Sequence, residues 1–353
     1  MTAFDLPMLP PAAELETRPV LRQLARASRA LAELKGYAAT IPNQHILLNA
    51  VTINEAKDSS ALENIVTTHD ELYRAMSQSG YKNPAAKEVV SYRSALWYGF
   101  QLVRQSGLLT TNMIIDIHAH IDTNHGGIRK IPGTILRNDA TGATIYTPPS
   151  GEQQILDLMS NLERYINEDF NGIDPLIKMA VIHYQFESIH PFYDGNGRTG
   201  RIINVLYLIL KDLLDSPILY LSRYINRNKT AYYRLLQEVR TDNNWQDWSV
   251  YILTGVEETA EETLALVKRI NAEVEDMTAD IKEKLPKIYS KELVDLLFYE
   301  FYTKIGYVAD SLGVSRRTAV NYLSALEENG FLVSEKIGKE RIYQNKRLFD
   351  LVR

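Results

Sequence analysis

The chain has 353 residues, 45% of them hydrophobic and 24% charged, an ordinary balance for a soluble globular protein. It contains no cysteine, which excludes disulfides, zinc–thiolate sites and thiol catalysis. Its formal net charge of −5 excludes a global basic field for nucleic acid or anionic membrane and leaves room only for a local basic patch.

Domains of roughly 100–200 residues would divide this length into two or three units. Met1 to Thr17 reads as an extended arm, since its prolines deny helix hydrogen bonds. It is too acidic and too proline-rich for a signal peptide. No run reaches the roughly 18 apolar residues of a membrane span, so no membrane partner and a cytoplasmic location are expected.

From Pro19 the spacing predicts a helix with Leu21, Leu24, Ala25, Leu31 and Ala32 on its inner face and Gly36 at its end. A second helical stretch, 42–65, carries Ile46, Leu47, Ala50 and Val51 in one row. Helical patterns follow at 85–103 and 111–121. Between Asn124 and Gly151 the composition turns to Gly, Pro, Asn and Thr. There, 133–138 and 142–147 are β-type runs flanking an Asp-Ala-Thr-Gly turn, which predicts a short hairpin. Helix returns at 152–170, 174–189, 202–214 and 228–240. The stretch 245–285 has helical spacing and reads as one long helix or a hairpin of two. Pro286 marks a boundary. Beyond it come helical runs at 290–302, 305–313 and 315–330, then β-type runs at 331–338 and 339–344.

Between two apolar helical runs sits HPFYDGNGRTGR, His190 to Arg201. Pro191 favours an extended conformation at His190 and takes the imidazole off the helix. An ordinary imidazole titrates near 6.5 and can accept a proton near neutrality. Phe192 is the large apolar anchor of the loop. Asp194 is a hard oxygen ligand suited to magnesium, which commonly takes one or two carboxylates plus phosphate oxygens. Gly195, Asn196 and Gly197 let backbone N–H groups converge at a helix start, where anions are favoured. Arg198 and Arg201, three residues apart, present forks that match phosphate oxygens. A base, a metal ligand, an anion cradle and two arginines are equipment for a hydroxyl attacking the phosphate of a magnesium nucleotide.

These residues resemble the Fic family signature, H-x-F-x-[DE]-G-N-G-R-x-x-R, at all eight fixed positions. The resemblance implies a mainly α fold: a Fic-type helical core with a short β-hairpin flap. It implies transfer of AMP from ATP to a Ser, Thr or Tyr hydroxyl of a protein, with the chain itself among the candidate targets. His190 would be the catalytic base and Asp194 would hold Mg2+. Asn196 and the neighbouring glycine amides would cradle the phosphates, and Arg198 and Arg201 would bind them. Upstream, Ser59, Glu63 and Asn64 are similar to the family's inhibitory motif, [ST]-x-x-x-E-[GN], whose glutamate pairs with the second arginine and blocks the γ-phosphate position. The predicted hairpin resembles the flap that holds a target segment by strand addition. Tyr232 and Tyr233 are similar in position to aromatics near the adenine, and core packing on a helix is an equal reading of them. His118, His120, His125 and His183 read as structural.

The segment 286–353 resembles a winged helix-turn-helix. Arg316, Arg317 and Thr318 open its second helix, where such modules meet the major groove, with Asn321 further along. Lys336, Lys339 and Arg341 would belong to the wing. Eleven Lys and Arg against nine Asp and Glu make this tail weakly basic, so DNA and protein docking both stay open. The expected organisation is an N-terminal arm and inhibitory region at 1–90, a catalytic core at 91–270, a linker helix at 271–285 and the winged helix at 286–353. Homodimerisation is compatible with the resemblance. The rival readings are a transcription regulator that uses the core as a nucleotide sensor, and transfer of another phosphate-linked group.

Overall fold

The computed structural model describes residues 5–41, 44–68, 71–72, 83–122, 127–137, 144–169, 172–299, 302–337 and 340–352. Helix dominates it. The helices are α1 (Arg18–Ala38), α2 (Gln44–Leu62), α3 (Pro84–Ser106), α4 (Thr111–Ile121), α5 (Glu152–Asn167), α6 (Pro175–Ile189), α7 (Asn196–Leu210), α8 (Leu221–Arg227), α9 (Lys229–Asp242), α10 (Trp245–Lys284), α11 (Lys291–Tyr299), α12 (Ile305–Leu312), α13 (Arg316–Glu328) and α14 (Lys346–Val352). A hairpin of β1 (Leu136–Arg137) and β2 (Thr144–Tyr146) interrupts the helices after α4. Its turn lies outside the described residues, as do His125 and Lys339. A second sheet joins β3 (Tyr302–Lys304), β5 (Glu340–Asn345) and β4 (Leu332–Ile337) in antiparallel order β3-β5-β4. No helix among the described residues is long and apolar enough to cross a membrane.

Helix α1 carries Pro19 in its first turn, where the missing N–H has no helical partner to lose. Its inner face differs from the expected one. Val20, Gln23, Ala27, Ala30, Leu31 and Leu34 are buried, while Leu21 is exposed. Alanine marks a side only weakly, because its methyl group gains little from burial. The seam is set by α10, along which α1 packs. There the amide of Gln23 donates to Glu257 at 2.6 Å and is carried inward. Gly36 lies within the helix, which runs on to Ala38. Stretch 245–285 is one helix of 40 residues, α10. Short strand β3 and helix α14 carry no alternation or spacing long enough to read in advance.

The core of the molecule is the pair α6 and α7. Helix α6 is buried at every position from Leu176 to Ile189. Helix α7 is buried from Arg198 to Ile209. Helices α3 and α4 cover α7, and α5 and α10 cover α6. A close apolar approach falls at Gly99 of α3. A Cβ there would lie 2.6 Å from Leu206 Cδ1 and 2.9 Å from Ile117 Cδ1. Gly99→Val is therefore expected to destabilise the fold by about 1–3 kcal/mol through overpacking. A lower urea midpoint with an unchanged slope is the measurement that checks it.

Candidate active site

The polar loop between α6 and α7 is built by a forced change of direction. His190 caps α6 in the left-handed conformation (φ 50°, ψ 57°), with its N–H on the Phe186 carbonyl. An extended His190 was the expectation from Pro191. The helix end needs a left-handed residue to close its last turn, and that need overrides the preference of a residue before proline. Such a conformation costs a non-glycine residue about 1–3 kcal/mol and must be held by its surroundings. Buried Phe192 stacks on His118 with ring centroids 3.7 Å apart. His118 Nε2 also lies 2.9 Å from the Asp194 carbonyl oxygen. This histidine is thus a support of the loop.

Asn196 braces the same loop from inside. Its side chain accepts from the Phe192 N–H and donates to the Phe192 carbonyl, both at 2.9 Å. One of its two side-chain N–H donors is thus spent on the loop itself. Gly195 precedes it at φ 72°, and a Cβ there would meet Ile121 at 3.2 Å. The Asp194 carboxylate accepts from the Gly195 N–H at 2.6 Å and is otherwise 76% exposed. Buried Arg198 pairs with Glu88 of α3 at 2.7 Å and approaches Asp194 at 3.7 Å.

Arg201 is buried and held through its Nε and Nη2. Its Nε donates to Ser59 Oγ at 2.8 Å, and its Nη2 donates to the Ser59 carbonyl at 2.9 Å and to Glu63 at 3.0 Å. Helix α2 stops one residue before Glu63, and Asn64 takes φ 63° to end the turn. The Lys229 ammonium donates to the Leu62 carbonyl at 2.8 Å and caps that end. Glu63 thereby reaches over the start of α7: a Cβ on Gly197 would lie 2.3 Å from its carboxylate. Burial pushes the Glu63 carboxyl up, but Arg201, Arg198 and His190 outweigh it and hold the pKa below the ordinary value. Burial pushes the His190 imidazole down to about 4, with the Arg129 charge acting the same way and Glu63 opposing.

Several participants carry no motif. Arg129 is 1% exposed and reaches the backbone beside His190. Glu55, one turn before Ser59, accepts from Ser222 and Tyr92 and fixes α2 against α8 and α3. Glu187 of α6 is buried, and a Cβ on Gly200 would lie 2.5 Å from its carboxylate. A lone carboxylate within an apolar run is the signal that would have found it. Tyr232 is buried among Trp248 and Tyr251 with its hydroxyl 2.9 Å from His183 Nε2, the packing that a core position on a helix would have. Tyr233 is exposed. In the tail, Arg316, Arg317 and Asn321 are exposed and Thr318 is half-buried. Ser315 caps α13 by accepting from the Thr318 N–H.

Sequence comparisons place this geometry in a known class. Residues 21–101 match the Fic/DOC family N-terminal region, 108–208 match the Fic/DOC family, and 274–348 match the C-terminal domain of SoFic-like protein adenylyltransferases. The chain belongs to the Fic family. Over 140 residues it is 28% identical to proteins named protein adenylyltransferase Fic from Drosophila mojavensis and Drosophila grimshawi. That match covers 39% of this chain and 27% and 28% of theirs, so the chain spans about a quarter of these relatives. A Fic family protein from Desulfovibrio desulfuricans G20 shares the fold over 96% of this chain and 98% of its own, with a TM-score of 0.61 at 18% identity. Fic-1 from C. elegans does so over 70% of this chain and 74% of its own, with a TM-score of 0.55 at 18% identity.

Burial raises the Glu187 carboxyl to about 7, against a smaller pull from Arg201. The folded state therefore holds a proton that the unfolded chain releases above the ordinary carboxyl range, and stability falls as pH rises through that window. Glu187→Gln is expected to melt a few degrees above the parent near about pH 8, with the difference vanishing toward about pH 4.5. Melting curves at several pH values test this.

Proposed function

We propose that the protein is an adenylyltransferase of proteins, held in an inhibited state by its own Glu63. The observation that carries this reading is the Glu63 carboxylate seated on Arg201 and over Gly197 at the start of α7. Backbone N–H groups and a guanidinium fork are the donors a phosphate would want. A carboxylate already satisfying them competes for that place.

The chemistry follows from the residues. His190, neutral at physiological pH, takes the proton from a Ser, Thr or Tyr hydroxyl of the target. The freed oxygen attacks the α-phosphorus of ATP, the bond to the β-phosphate oxygen breaks, and pyrophosphate leaves. The exposed carboxylate of Asp194 suits one coordination position of a magnesium ion whose remaining ligands are phosphates and water. When bound, such an ion neutralises phosphate charge. The start of α7 and Arg201, once Glu63 has withdrawn, hold the terminal phosphates. Arg198, kept in place by Glu88, adds a second cation. The hairpin β1–β2 fits the role of a flap over the target segment.

For the tail we propose a winged helix-turn-helix with α13 as its second helix, a reading supported by exposed Arg316, Arg317 and Asn321 on that helix. DNA is the partner to test first. Gel-shift assays at rising salt should show affinity falling with a slope set by the phosphates contacted. Binding unaffected by Arg316→Ala plus Arg317→Ala would remove α13 from the contact, and salt-independent capture would point to protein docking.

The test of the enzyme uses magnesium and ATP labelled at the α-phosphate. Glu63→Gly should label itself or added protein at least about tenfold more than the parent, and His190→Ala in the same background should fall by about 10²–10⁴-fold while staying folded. Label transferred only from γ-labelled ATP would assign a kinase instead. Because protonated His190 cannot act as the base, labelling by Glu63→Gly should hold from about pH 8 to about pH 5 and fall below that. Removing Glu63 also removes a charge that raises the imidazole pKa, so the fall should not move to higher pH.

A further inference from the structure

Four successive carbonyls where α6 ends, Ser188 to Pro191, have no partner within the helix, yet all four are taken. Tyr146 of β2 donates its hydroxyl to the Ser188 carbonyl at 2.8 Å. Arg129 donates from Nη2 to the Ile189 carbonyl at 3.3 Å and from Nε to the His190 carbonyl at 2.8 Å. The Arg129 backbone N–H donates to the Pro191 carbonyl at 2.9 Å. The same Nη2 also reaches the carbonyl of Pro149, on the far stem of the hairpin. Arg129 itself lies on the near stem. One side chain, 1% exposed and paired with no carboxylate among the described residues, thus ties both stems to the backbone of His190.

We propose that Arg129, seconded by Tyr146, is a positioning residue that fastens both stems of the hairpin to the carbonyls around His190 and so sets the imidazole and the target segment in one register. The inference rests on His190 being the base of the proposed reaction. Three physical arguments carry it. A left-handed histidine before proline is strained and needs external restraint, and the Arg129 fork grips the carbonyls on either side of it. A helix C-terminus favours a cation, which explains how a buried guanidinium is tolerated without an acid. Target and base sit on different elements, and a shift of about 1 Å between them can cost about a hundredfold in rate.

Charge acts in the same direction as geometry. The groups that act on His190 are Arg129 from the near stem, Glu63 from the end of α2, Arg240 from α9 and the Glu187 backbone from α6 itself. Burial and the two arginines favour neutral imidazole, and Glu63 and the Glu187 backbone oppose. Arg240 is held by the Tyr146 ring, 3.8 Å from its centroid, and by Ser188 Oγ at 3.1 Å. The hairpin therefore fixes both cations that keep the base unprotonated.

The experiment places Arg129→Gln, Arg129→Lys and Tyr146→Phe in the Glu63→Gly background, with circular dichroism and melting curves to establish folding. Labelling from α-labelled ATP is followed against ATP concentration and pH. Histidine ring signals are followed by NMR between about pH 5 and 8, with His190 assigned by its loss in His190→Ala. Arg129→Gln should lower turnover by about a hundredfold while the ATP KM stays within about threefold, and His190 should begin to titrate inside the window. Arg129→Lys, which keeps the charge and loses the fork, should leave His190 neutral yet stay slow. Tyr146→Phe should lose about tenfold. A folded Arg129→Gln with full turnover, or with His190 still neutral and the pH profile unmoved, overturns the proposal. If that variant does not fold, full turnover in both the Lys and Phe variants overturns it. Absence of label from the Glu63→Gly parent would defeat the transferase reading instead, and the His190 titration, which needs no turnover, would still decide this one.

Discussion

A single buried guanidinium organises the site. Arg201 is 4% exposed, and three carboxyls act on it or lie within its field: Glu63, Glu187 and Glu55. One cation in a poorly solvated place supports one anion well. The three acids divide accordingly. Glu63, in direct contact, is held ionised below its ordinary range. Glu187 and Glu55, which lack that contact, are pushed up by burial and keep their protons more readily. The partition is a property of the cluster and shifts as a whole if any member moves. A departure of Glu63 would leave Arg201 with an uncompensated charge, to be met by a phosphate or by ionisation of Glu187. Phosphate brings more charge and more acceptor oxygens, so the same arrangement that makes Glu63 a good occupant makes it a replaceable one.

Glycine supplies the room in which such an exchange would take place. At Gly197 the nearest neighbour of a missing Cβ is the Glu63 carboxylate, and at Gly200 it is the Glu187 carboxylate. Both glycines lie on the turn of α7 that faces the acids, so two carboxylates approach the helix backbone closely. Gly195 serves a different need, since its φ of 72° turns the chain into the helix. The first two are glycines for space and the third for conformation.

Much of the loop was legible in the sequence because its chemistry is dense and local. His190, Asp194, Arg198 and Arg201 fall within twelve residues, and helix spacing fixes the relative positions of the two arginines. The pairing of Glu63 with Arg201, 138 residues apart, is not a consequence of spacing and was reachable only through resemblance. Arg129 was out of reach on either ground. It sits in a Gly- and Pro-rich stretch without periodicity, and its partners are backbone carbonyls, which leave no mark on side-chain composition. Glu88 fails for a related reason: nothing in the spacing of its helix points to Arg198, 110 residues away. The inner face of α1 was misread because its alanines mark a side only weakly and Gln23 is carried inward by Glu257. Tyr232 was ambiguous because an aromatic at helical spacing serves a pocket and a core equally well; only the hydroxyl on His183 separates the two.

Two buried arginines flank the reacting centre, and the nature of their partners sets their behaviour. Arg201 is satisfied partly by a carboxylate at the end of a helix, a group that a turn of chain can carry away. Arg129 is satisfied by main-chain carbonyls of Ile189, His190 and Pro149, which cannot leave without unfolding the end of α6 or the hairpin stem. An exchangeable acid makes a site that can be occupied or emptied. A set of fixed dipoles makes a joint. On the proposed reading the two arginines would separate the two demands on the site: one guanidinium would change partners with the phosphates while the other would keep the base where it is.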